Sequence, residues 1–138
     1  MIRLSNLADY AVVACTELAK ADGRVSAADL AAVTKVPPPT MAKLTGLLTR
    51  AGLLASTRGA SGGVMLALEP SDISLADIIE AVDGPIGLVA CTHEHMDDCQ
   101  LSASCQVKPH WAVINDSVRG ALARTTLADL SVNMKEPA

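Results

Sequence analysis

A chain of 138 residues has room for one domain with a modest extension and a real hydrophobic core. Half of it is hydrophobic, yet Phe is absent and Tyr10 and Trp111 are the only aromatics, so the core must be Leu, Val, Ile, Ala and Met, a helix-favouring set. The net charge of −4 hides a basic half: residues 1–68 carry seven Lys/Arg against four Asp/Glu and the rest four against eleven, and no apolar run approaches the roughly 18–20 residues of a membrane span.

From Asn6 to about Ala21 the apolar positions Leu7, Tyr10, Ala11, Ala14, Leu18 and Ala21 recur at helical spacing, and Asp22-Gly23 stops the run. Ser26, with Asp29 three residues on, suits the cap of a short second helix through Val33. Val36-Pro37-Pro38-Pro39 then breaks the chain. Proline is accepted in a first helical turn, so a third helix can begin near Pro38 or Pro39 and end at Gly52. Its buried stripe is Met41, Leu44, Leu48 and Ala51, leaving Thr40, Lys43, Leu47 and Arg50 on the other face. Two short helices in tight succession, the second polar and basic outward, predict a helix-turn-helix. Strands over 53–56 and 64–68, around the glycine-rich stretch 57–63, add a hairpin and make a winged helix. Arg58, near the base of the wing, is placed to reach a phosphate or the minor groove.

Ser74-Leu75-Ala76-Asp77 predicts the start of a further helix with Leu75, Ile78, Ile79 and Val82 inward, terminated by Asp83-Gly84-Pro85. A last helix is expected from near Pro109 to about Arg124, with Trp111, Ile114, Val118, Ala121 and Leu122 on one side. So long an apolar face beyond the compact domain invites a second copy, and a symmetric dimer would address two DNA half-sites roughly 34–36 Å apart. The expected class is mainly α with a small β-hairpin. Residues 1–84 form the winged helix-turn-helix DNA-binding domain, 85–108 a cysteine-rich loop, and 109–138 a dimerisation helix with a C-terminal tail.

In that loop Cys91, Cys99 and Cys105 follow the spacing C-x7-C-x5-C, with His93, His95 and His110 nearby. MIRLSNLADY lacks the basic start, apolar stretch and small-residue cleavage site of a secretory signal, so a reducing cytoplasmic location without structural disulfides is expected. Thiolates are soft donors for iron–sulfur clusters, zinc and monovalent copper. Structural zinc sites favour close pairs such as C-x2-C, which this loop lacks, whereas iron–sulfur ligation tolerates wide spacing. Cys15, among Val13, Ala14 and Leu18 of the first helix, reads instead as a small core hydrophobe.

LSNLADYAV at the start, LTRAGLLASTRGASGG across the recognition helix and wing, ISLADIIEAVDGP before the loop and the three cysteines after it carry a resemblance. Over nearly its whole length the chain resembles the Rrf2-type winged-helix transcriptional regulators, the family of the iron–sulfur cluster regulator and the nitric-oxide-sensing repressor. Its opening, MIRLSNLADYAVV, is most similar to the branch that regulates SUF iron–sulfur assembly genes. The resemblance implies that Cys91, Cys99 and Cys105 hold a cluster, 2Fe–2S in preference to 4Fe–4S. The fourth ligand stays open, because Lys108 stands where the iron–sulfur cluster regulator has a histidine, and an ammonium cannot ligate. Candidates are Asp9, which matches an aspartate that nitric-oxide-sensing relatives contribute from the partner subunit's first helix, and His110, followed by His95 and His93. Thr40, Lys43 and Arg58 fall at DNA-contact positions of the family, and Arg50 adds phosphate attraction. Ala42 replaces the acidic residue with which the iron–sulfur cluster regulator separates its site types, so an operator sequence does not carry over.

The expected function is a homodimeric repressor of double-stranded DNA targets that senses iron–sulfur cluster status and controls cluster-assembly genes. A nitric-oxide or redox sensor would use the same parts with another input, and zinc is the rival metal. From a different class, a cluster carrier or small redox protein would need no helix-turn-helix. No phosphate-cradling glycine loop or nucleophile–base pair points to an enzyme.

Overall fold

A computed structural model describes residues 2–92, 100–101 and 103–132. Three helices start behind a serine whose hydroxyl accepts the backbone N–H three residues on. Ser5 accepts from Ala8 at 3.0 Å before α1 (Asn6–Lys20), Ser26 from Asp29 at 3.1 Å before α2 (Ala27–Thr34), and Ser74 from Asp77 at 3.0 Å before α4 (Leu75–Asp83). The Asp77 carboxylate returns the bond to the Ser74 amide at 2.9 Å, completing a capping box. Between α2 and α4, α3 (Pro38–Arg50) opens on proline, whose missing N–H costs nothing in a first turn.

The core gathers around α1, against which α2, α3 and α4 all pack. Ala8, Ala11 and Ala14 are fully buried on it, and side chains that small let neighbouring helices approach closely. Cys15 is buried beside them, as a core residue, and burial pushes its thiol up to about 12. Met41, Leu44 and Leu48 of α3 are buried as their spacing predicts, whereas Ala51 lies past the helix end and is exposed.

The hairpin pairs β1 (Leu54–Thr57) with β2 (Gly63–Leu66), antiparallel, in the register Leu54↔Leu66 to Thr57↔Gly63. It is not isolated. Val25, just before α2, bridges Val64 with N–H···O bonds of 2.9 and 2.8 Å, adding a one-residue third strand that locks the wing to the helices. This bridge explains Gly63, which has φ +155°: a Cβ there would lie 2.5 Å from the Val25 carbonyl oxygen.

After a one-turn 3₁₀ helix at Pro70–Asp72, α4 leads to a second such turn, Ala90–Thr92, and then to α5 (Lys108–Arg124), which packs on both α4 and that turn. The segment beyond α5, expected as a tail, folds back. Leu75 N–H donates to Thr125 and Leu127 N–H to Ile73, each at 2.8 Å, and a short helix α6 (Leu127–Val132) packs on α1 with Leu127 fully buried. Thr126 and Asp129 cap it reciprocally at 3.2 and 2.9 Å, and the bonds from Thr126 hold the Asp129 carboxyl below its usual range. The box Thr126-Leu127-Ala128-Asp129 repeats the pattern of Ser74-Leu75-Ala76-Asp77, so a sequence signal for α6 exists. Among the described residues no helix is long and apolar enough to cross a membrane.

Candidate nucleic-acid interface and cysteine segment

From Leu30 to Leu68 the chain has no Asp or Glu and four cations, Lys35, Lys43, Arg50 and Arg58, all exposed. Lys35 stands in the turn of the helix-turn-helix with φ +61°, a left-handed position that lets α2 end and Val36 turn inward. Arg50 lies back along its helix, its Nε donating to the Gly46 carbonyl at 3.3 Å. It shares with Arg58 a cleft of about 530 Å³ between α3 and the hairpin, floored by Gly46, Thr49 and Ser56. Two guanidiniums at one cleft suit a phosphodiester backbone. Thr40, half-buried in the first turn of α3, and Lys43, exposed, do not line that cleft. Gly46, Thr49 and Ser56 were not singled out by sequence, since nothing local shows which side of α3 faces the wing.

Gly46 is not demanded by the fold. A Cβ there would meet only the Arg50 guanidinium at 3.8 Å, an ordinary contact. Gly46→Ala is therefore expected to stabilise the protein by about 0.5–1 kcal/mol, as helix-interior glycine usually costs that much relative to alanine. Thermal unfolding checks it: a rise of a few degrees is expected, and a fall would mean that the glycine is packed more tightly than its surroundings show.

Past the hairpin and α4 lies the cysteine segment. Cys91 sits in the 3₁₀ turn Ala90–Thr92 that packs on α5, and Cys105 lies three residues before α5 begins. Both are half-buried free thiols, unlike Cys15. Asp9 is exposed near the start of α1, and His110 is exposed in the first turn of α5. Cys99, His93 and His95 lie outside the described residues. Among the described residues no three His, Cys, Asp or Glu side chains converge on a metal position. Within one chain, then, Cys91, Cys105, Asp9 and His110 do not form a three-ligand set.

Side chains that sequence reasoning did not single out tie this segment to the domain. Glu80 of α4 accepts from the Ile86 N–H at 3.1 Å and from Arg119 of α5 at 2.6 and 3.0 Å. Asn115 of α5 accepts from the Leu88 N–H at 2.9 Å and donates to the Ile86 carbonyl at 3.0 Å. Ser5, at the head of α1, donates to Asp83 at the end of α4 at 2.7 Å.

Comparison with known proteins places this arrangement. The Rrf2 family model, described as an iron-dependent transcriptional regulator, matches residues 4–133. The chain is 31% identical over 131 residues to the HTH-type transcriptional regulator IscR of Photobacterium profundum, covering 94% of this chain and 75% of that protein. Among solved structures it is similar to CymR, the global cysteine regulator of B. subtilis, with a TM-score of 0.75, 32% identity and coverage of 98% of this chain and 100% of that one. It is likewise similar to T. potens IscR, with a TM-score of 0.70, 29% identity and coverage of 99% and 94%.

Proposed function

The chain belongs to the Rrf2 family of DNA-binding transcriptional regulators, and from that premise we propose a homodimeric repressor whose hold on DNA depends on an iron–sulfur cluster carried by Cys91, Cys99 and Cys105. As a member of a family of regulators it is not an enzyme. One observation carries the sensing part: a cysteine segment is inserted between α4, which packs on recognition helix α3, and α5.

The described thiols suit the group. Cys91 and Cys105 are free, half-exposed and adjacent to α5, so they are accessible to a soft metal as buried Cys15 is not. A bound 2Fe–2S cluster would supply a centre that is gained or lost with iron supply, oxygen or nitric oxide. Asp9 and His110, both exposed, are the candidates for a fourth position, Asp9 reaching it from a second copy. Val113 and Ile114 on α5 remain 67% and 44% exposed, and in the proposed dimer this strip meets its own copy across a two-fold axis. Lys43, Arg50 and Arg58 attract phosphates, while Thr40 and Lys43 reach base edges. A shift at the end of α4 is felt by α3, changing how the two recognition helices are spaced. Regulation of iron–sulfur assembly genes fits holo-repression, because repression would lift when clusters are scarce.

The test is protein purified without oxygen, assayed for visible absorption, circular dichroism, iron and sulfide, then titrated onto its own upstream DNA with and without the cluster. A coloured protein with stoichiometric sulfide, different affinities in the two forms and binding that weakens steeply with salt are expected. A protein that stays colourless after anaerobic reconstitution would sink the cluster. Faster loss of colour with nitric oxide than with oxygen or iron depletion would make nitric oxide the signal.

A further inference from the structure

The chain crosses from α4 to Cys91 through residues 86–88, a strap held in an unusual way. Among the described residues no backbone–backbone hydrogen bond fixes it. Its Ile86 N–H, Ile86 carbonyl and Leu88 N–H are satisfied instead by Glu80 and by both ends of the Asn115 carboxamide. Ile86, Gly87 and Leu88 are only half-buried. A cleft of about 440 Å³ lies along it, walled on the other sides by Ile2, Leu4, Ile79, Val118 and Leu122. Asparagine is a poor helix former, yet Asn115 stands in the middle of α5 and is the buried residue of that helix, 7% exposed. Its amide imitates a strand partner for the strap. Cys91 stands three positions after Leu88, a reach of at most about 10 Å.

We infer that Asn115 is the positioning residue of the cysteine segment: through Ile86 and Leu88 it sets where Cys91 stands, and it passes the state of that segment to α5. Glu80, pinned by Arg119, holds the same strap from α4. A strap tied by side chains can be released and retied without unfolding a helix or a sheet, so it can serve as a two-state element. The coupling to DNA rests on the function proposed above, whereas the placement of Cys91 does not.

Two variants of the full chain test this, Asn115→Leu, which removes both bonds and puts an apolar side chain of similar size where the amide is buried, and Glu80→Ala, which acts from the α4 side and guards against a folding defect in the first. In cluster-free protein, alkylation is followed site by site by mass spectrometry, with Cys105 as reference and Cys15 as a monitor of the fold. Cys91 is expected to react about five-fold faster or more relative to Cys105, with Cys15 still protected, as for the loss of one or two hydrogen bonds. In reconstituted protein the visible circular dichroism should change, and the ratio of DNA affinities with and without cluster should move toward one. Unchanged Cys91 reactivity and an unchanged affinity ratio in both variants, with only a lower melting temperature, would show that Asn115 is merely structural. If the wild type takes up no cluster, the proposed function fails while the alkylation result still decides this inference.

Discussion

Alanine at Cys91 or at Cys105 is expected to leave reconstituted protein nearly colourless, with sulfide below about a tenth of the wild-type content, because a cluster deprived of a thiolate ligand is not retained. The folded state should hardly notice. Both side chains are only half-buried, and such substitutions cost at most about 1 kcal/mol. Cys15→Ala should do the reverse, keeping the colour and losing stability of the order of 1 kcal/mol, since Cys15 is fully buried in the core. Thiol chemistry gives an independent check. With its thiol pushed up to about 12 by burial, Cys15 stays protonated and unreactive near neutrality, so alkylation of the native apo-protein should spare it. The sign of the linked pH effect follows: a folded pKa raised above 9.0 favours the native state below that pH and is a stabilisation lost as pH climbs toward 12. Retention of full absorbance by both alanine variants at Cys91 and Cys105 would remove these thiols from the ligand set.

Leu127→Ala carries the largest expected loss of stability. Leu127 is fully buried at the start of α6, in the same apolar cluster as Ile73, Ile78 and the α1 residues, and its N–H donates to Ile73. Truncating such a leucine costs about 2–5 kcal/mol, through lost transfer energy and the cavity left behind. For a chain of this size that corresponds to a fall in Tm of the order of 10 °C. Differential scanning calorimetry reads it directly. A shift of less than about 2 °C would mean that α6 contributes little and that the C-terminal segment is separable from the domain.

The features legible in the sequence are those that a few neighbouring residues settle. Ser26 and Ser74 mark helix starts because a hydroxyl can only cap the amides that immediately follow it. Pro38, Asp22-Gly23 and Gly52 end or open elements through their own backbone restrictions, and the steps from Met41 to Leu44 to Leu48 declare a buried face before any partner is known. The strands needed only a shift at their ends, to Leu54–Thr57 and Gly63–Leu66. The family resemblance, and with it the winged-helix class, rests on these same local runs.

What only the tertiary structure decided are pairings across long stretches of chain, for which neighbouring residues leave no mark. Val25 could not be read as a strand until Val64 was placed beside it, and Asn115 looked like an ordinary polar residue of a helix until Ile86 and Leu88 came within its reach. Arg50 and Arg58 are far from each other in local pattern and share a cleft because the hairpin folds against α3. The T-x-x-D box at Thr126 was present in the sequence, but whether a six-residue helix forms there depends on the burial of Leu127 against α1, since so short a helix is unstable alone. Local capping and periodicity determined which segments are helices and strands; the apolar surface that each had to bury, and the backbone groups that each had left unpaired, decided where they meet.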